Sequence, residues 1–212
     1  MSMTFKGGVF DFGDTRSIPV MEEVTRKMNA GGVVKFPTGV EARIPAGTLA
    51  YQDNISGGIV TPIFTFKVIS HSSTSDAQTV VVEPQGTNFR PIAGMFLMRL
   101  PSSITTSGTG VEVLTTGELA PDGESVSFDV AVGSFGTLNA GDILISVDSA
   151  GSGKRIQKPI GHIWHDVIST KDTNALSTTI VLAAKVYEDR IQPVPDMIKE
   201  VLPMIHYVKE VK

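Results

Sequence analysis

Residues 89–119, FRPIAGMFLMRLPSSITTSGTGVEVLTTGEL, hold the feature that most narrows the fold. A continuous apolar run (Met95, Phe96, Leu97, Met98) and an alternating run (Val111, Val113, Thr115) flank a Ser/Thr/Gly loop. Short apolar runs bounded by turn residues, with period-two alternation, predict two strands of one buried β unit. The same grammar fills the chain from Val33 onward. Phe64, Phe66 and Val68 share one face of a strand over 63–69, and 79–83 is a valine run that stops at Pro84. Val126, Phe128, Val130 and Val132 alternate with Ser127 and Asp129, which predicts a half-buried strand with the valines and phenylalanine inward. Ile143, Ile145 and Val147 repeat the pattern, as do Ile180, Leu182, Ala184 and Val186. Near the C-terminus, Pro195 and Pro203 limit any helix to two turns, and a last strand over 204–208 follows.

The N-terminal region departs from this grammar. Residues 1–16 combine Gly7, Gly8 and Gly13 with Phe5, Phe10 and Phe12, a composition that predicts an extended arm. Such an arm docks its aromatics on another surface or folds them back on the chain's own core. Ser17 then stands at an N-cap position, with Pro19 in the first turn and Glu22 and Glu23 near the positive end of a helix dipole. Val20, Val24 and Met28 recur at a spacing of four ahead of Gly31-Gly32, so a short amphipathic helix is expected over 18–29.

One phrase occurs twice: Pro45-Ala46-Gly47-Thr48-Leu49 and Asn139-Ala140-Gly141-Asp142-Ile143. Arg90-Pro91-Ile92 follows the first copy and Lys158-Pro159-Ile160 the second, each ahead of another strand. The first copy also carries an excursion over 57–89, a length that a surface loop tolerates. The expected fold is mainly β, a β-sandwich or barrel-like arrangement with a candidate internal duplication, one short N-terminal helix and an extended N-terminal arm. Its divisions fall at 1–32 for arm and helix, 33–136 for a first β unit with the excursion, and 137–212 for a second β unit and tail.

With 212 residues the chain can bury a core without staples, and the absence of cysteine excludes disulfides and thiolate chemistry. The 18 basic and 22 acidic residues are spread without blocks, so nucleic acid is not an expected partner. The N-terminus lacks the charged and apolar regions of a signal peptide or a membrane span, which points to a protein made in the cytosol or carried in a particle assembled there.

Three motifs invite a chemical reading. Gly151-Ser152-Gly153-Lys154-Arg155 resembles the end of a phosphate-binding loop, but Asp148 occupies the first glycine position and Arg155 that of the hydroxyl, so a hairpin loop is expected. His162, His165 and Asp166 surround Trp164, yet strand residues three apart face opposite ways and the two imidazoles do not converge. Asp11-Phe12-Gly13 matches a kinase triplet by letters alone. No catalytic residue, cofactor or metal is therefore expected, and the chain reads as a non-enzyme.

Taken together, IPAGTLAYQDN, FRPIAGMFLMRLP and GVEVLTTGEL make residues 44–120 similar to capsid decoration and head-fibre proteins of tailed bacteriophages; 138–187 is a weaker second copy. The excursion and the 190–212 tail have no counterpart in that resemblance. It implies a β-rich structural virion protein on the outer capsid surface, with the major capsid protein and further copies of itself, as homodimer or homotrimer, for partners. Phe5, Phe10 and Phe12 are then the candidate capsid contacts, because an extended backbone with apolar anchors suits an added-strand interface. Met204, Ile205 and Val208 are the candidate oligomer contacts. The alternative is a carbohydrate-binding or adhesion β module, which usually presents a planar row of exposed aromatics.

Overall fold

A computed structural model of the chain describes residues 20–28, 32–35, 43–52, 58–84, 90–168 and 175–209. Phe5, Phe10 and Phe12 lie outside the described residues. The first strands among the described residues are β1 (Met21–Lys27), β2 (Gly32–Lys35), β3 (Arg43–Ile44), β4 (Leu49–Gln52) and β5 (Ile59–Ile63). There follow β6 (Thr65–Ser73), β7 (Gln78–Val82), β8 (Phe96–Arg99), β9 (Gly108–Glu112), β10 (Glu118–Leu119) and β11 (Val126–Val130). The C-terminal part holds β12 (Ile143–Val147), β13 (Gly151–Lys154), β14 (Gly161–Ile163), β15 (Val167–Ile168), β16 (Ala175–Thr178) and β17 (Ile180–Tyr187). A 3-10 turn, helix α1 (Asp196–Lys199) and β18 (Ile205–Val208) end it. The expectation of a mainly β chain with one short helix holds. No helix among the described residues is long and apolar enough to cross a membrane.

The helix is not where it was expected. Residues 21–27 form β1, which pairs antiparallel with β17. The spacing of four between Val20, Val24 and Met28 is an even number, so it suits a strand as well as a helix, and β-branched Val20, Val24 and Thr25 fit the pleat better. Pairing with β17 decides between them. A bulge interrupts β1 between Glu22 and Arg26, where Glu23 adopts a φ of 49°.

One sheet runs in the order β1, β17, β14, β4, β5, β2, β16, with β18 added in parallel to β17. A second runs β10, β11, β7, β6, β12, β8, β9, β13 and curls until the chain just past β9 meets β11, and β15 pairs antiparallel with β3 as a third, two-stranded sheet. Just past β9, Val113 bridges Val130 of β11, and Leu114 N–H donates to the Asp129 carbonyl at 2.8 Å. The path from β11 through β7, β6, β12, β8 and β9 therefore closes as a barrel, which removes most of its free edges. Phe66, Val80, Val82, Val126 and Phe128 point into it, all at most 2% exposed. Val132, expected inward, stands beyond the end of β11 and is exposed.

Chain continuity joins the two sheets at Phe64, where β5 passes into β6. There the main chain of Phe64 pairs with Ser146: Phe64 N–H donates to Oγ at 2.9 Å, and Ser146 N–H to the Phe64 carbonyl at 2.8 Å. The buried amide of Gln192 spans the same junction, donating to the Ile63 carbonyl at 2.7 Å and accepting from Thr65 N–H at 3.3 Å. A side-chain amide thus supplies the ladder bonds that a bent strand leaves open.

The repeated phrase proves to be triple. Turns begin at Pro45, Ile92 and Asn139, each an x-Ala-Gly-x segment, so the unit recurs every 47 residues. In each, the fourth residue's N–H donates to the first carbonyl, at 3.2, 2.9 and 3.0 Å. Gly47, Gly94 and Gly141 take φ values of 86°, 84° and 91°, the positive value that the third position of a type II turn demands. Each turn docks on a neighbouring strand through the same two bonds. Gly47, Gly94 and Gly141 donate to the carbonyls of Ile163, Val113 and Val68, whose own N–H groups return to Thr48, Met95 and Asp142.

The likeness extends into the packing of β4, β8 and β12. Ala50, Leu97 and Leu144 occupy equivalent positions and enter the core that fills the barrel and continues beneath the first sheet. Their neighbours Tyr51, Met98 and Ile145 turn to a second core beneath α1 and β18. Strands covered on both faces explain why these segments carry consecutive apolar residues rather than strict alternation.

Candidate contact surface at the C-terminal strand

Pro195 occupies the N-cap position of α1, and Leu202 and Pro203 end the turn that follows, so the chain re-enters the sheet as β18. Ile205 to Val208 pair in parallel with Ala184 to Tyr187. This register divides the three candidate oligomer contacts. Ile205 is 6% exposed and packs into the second core, Val208 is half-buried, and Met204 is 49% exposed. Met204 lines a shallow groove of about 370 Å³ with Glu23, Thr25, Ala183, Lys185 and His206, beside the bulge in β1.

Beyond the end of β18, on the same edge of β17, lies His162, the middle residue of β14 and fully buried. Its Nδ1 is 2.6 Å from the Gly47 carbonyl, which only accepts, so Nδ1 carries the proton. Nε2 is then the acceptor, and the Tyr207 hydroxyl donates to it at 2.8 Å. Burial pushes the imidazole down to about 4, against the raising effect of the Gly47 carbonyl. Burial, then the charge of Glu188, push the Tyr207 hydroxyl up, so both groups stay neutral around pH 7. Glu188 itself is engaged by Lys199 at 2.8 Å.

His165, by contrast, is exposed and stacks on Trp164 with ring centroids 4.2 Å apart, while the Lys27 ammonium lies 2.7 Å above the Trp164 ring. The two imidazoles therefore occupy different environments. Asp166 pairs with Arg43 and accepts from Ala46 N–H at 2.7 Å, which ties the first repeated turn to the β14–β15 connection. Gly151 to Lys154, expected as a loop, pairs with β9 as an edge strand, in a ladder made irregular by Gly151 and Gly153, whose φ values of 102° and 75° lie outside the extended region. The link of Tyr207 through His162 to Gly47 was not anticipated. Its only sequence trace is a histidine inside the apolar run Ile160, Ile163 and a tyrosine in the last strand.

No protein-family model matches the sequence, and neither a curated protein nor a solved structure matches it.

Proposed function

We propose that this chain is a structural virion protein that binds the outer surface of a tailed-bacteriophage capsid as a decoration or head-fibre protein, without enzymatic activity. One observation carries the reading. The phrases behind the resemblance, IPAGTLAYQDN and FRPIAGMFLMRLP, contain two of the three copies of the turn-and-strand unit on which both sheets are built. The likeness thus falls on the repeating element of the fold rather than on a surface loop.

In this reading the major capsid protein is held through Phe5, Phe10 and Phe12, and copies of the chain associate through Met204 and Val208 around the groove. Ile205 supports that surface from inside. A carbohydrate-binding module is the weaker alternative, since the aromatic rings it would use are engaged elsewhere. Trp164 lies under Lys27 and against His165, and Tyr187 bonds Glu22 at 2.7 Å beneath Arg190. Heads assembled without the chain and then incubated with it are expected to gain density at symmetry-equivalent surface positions in cryo-electron micrographs. Bare heads beside folded protein contradict the proposal.

A further inference from the structure

We propose that β18 is a proton-released strap: protonation of His162 detaches Ile205–Val208 from β17 while the barrel stays folded. The inference rests on where His162 sits and on what covers it. β14 and β18 lie end to end along the same edge of β17, with His162 opposite Val181 and Ile205 opposite Ala184. Toward the sheet interior the imidazole is held by the Gly47 carbonyl at 2.6 Å. On its other side stands Tyr207, half-buried and set edge-on at 5.7 Å between ring centroids.

A second proton must go on Nε2, the atom that accepts from Tyr207. It removes that acceptor and leaves a cation in a buried site, a costly arrangement without a counter-charge. The carboxylates on the elements around it are each paired with another cation. β4 carries no ionisable group in its first two residues beside β14. β17 brings Lys185, which pairs with Glu22 and Glu23 of β1, while Arg26 and Lys27 are the cations of β1, the latter held over Trp164. β18 brings His206 and Tyr207, and Lys199 of α1 binds Glu188 and its own neighbour Asp196. Asp166, beside the Gly47 turn, pairs with Arg43. Lifting β18 lets water reach Nε2 and leaves the barrel interior closed, since that interior is filled by the other core; only the outward residues Met98 and Ile145 of the barrel share a core with Ile205.

Hydrogen exchange read by mass spectrometry on the full chain, corrected for intrinsic rates, tests this. A released imidazole with an ordinary value near 6.5 and a docked one near 4 predict that protection of 205–208 falls about twentyfold between pH 7 and pH 5, with β7 and β11 unchanged. His162→Gln, whose amide can donate to Gly47 and accept from Tyr207, is expected to abolish the pH dependence, and His206→Gln to retain it. If His162→Gln does not fold, Tyr207→Phe serves. It is expected to lower protection of 205–208 about tenfold at pH 7 without affecting β7 or β11. Protection of β18 that is flat with pH, that falls in step with the barrel, or that follows His206 overturns the proposal.

Discussion

The Tyr207 hydroxyl donates to Nε2 of His162 across 2.8 Å, and the opposite nitrogen of that ring holds the carbonyl of Gly47. Through one neutral imidazole the last strand of the chain is fastened to the first of three equivalent turns. That closure joins residues 160 positions apart in sequence, a long-range contact made within the first sheet once β14 and β18 are both seated on β17.

Stability should therefore depend on pH through His162. Its folded value, about 4, lies below the ordinary 6.5, so the unfolded chain takes up the proton first as pH falls. The contribution is intact above about pH 6.5, is lost between there and pH 4, and then levels off, with a maximum of about 3 kcal/mol. Urea unfolding from pH 7 to pH 4 should show this loss in the wild type and not in His162→Gln, the difference between the two removing the effect of carboxylates. Parallel profiles would count against a buried neutral imidazole.

The three turns make a graded prediction. An added Cβ at Gly94 or Gly141 meets nothing within 4 Å, so Gly94→Ala and Gly141→Ala carry only the penalty of positive φ, about 1–2 kcal/mol. At Gly47 the same atom overlaps Cγ2 of Ile191, and overpacking adds about 1–3 kcal/mol. Midpoints of chemical unfolding should rank Gly47→Ala well below the other two. Equal losses would show that the first turn is not packed as described.

Thr178 offers a substitution of the opposite sign. Its Oγ1 is buried and has no hydrogen-bond partner among the described residues. Thr178→Val keeps the shape and the β-branch while removing a desolvated hydroxyl, so it should be neutral or stabilising by about 1 kcal/mol. A drop of that size in unfolding free energy would mean that the hydroxyl is bonded.

The sequence was most legible where one face of a strand is buried. Phe64, Phe66 and Val68, and Val126, Phe128 and Val130, announce their inward face by alternation alone. It misled at 18–29, because local cap and spacing signals are worth little against a ladder with β17 that only the tertiary fold supplies. The duplication was seen through the first and last turns. Ile92-Ala93-Gly94-Met95 escaped because the adjacent Arg90-Pro91-Ile92 invites alignment with Lys158-Pro159-Ile160, whereas φ at Gly94 and the bond from Met95 to Ile92 place it with the other two. Ile205 looked like a contact residue on a short strand, and parallel pairing turns it inward. Partner choice for His162 was beyond reach, since Gly47 and Tyr207 come from opposite ends of the chain.

The most direct measurement is co-sedimentation of the purified chain with empty heads of the phage that encodes it, with bound stoichiometry read by gel densitometry. The account predicts saturable binding at a small whole-number ratio per capsid lattice unit, lost when residues 1–16 are deleted from a chain that still folds. Absence of binding by folded, full-length protein would contradict it.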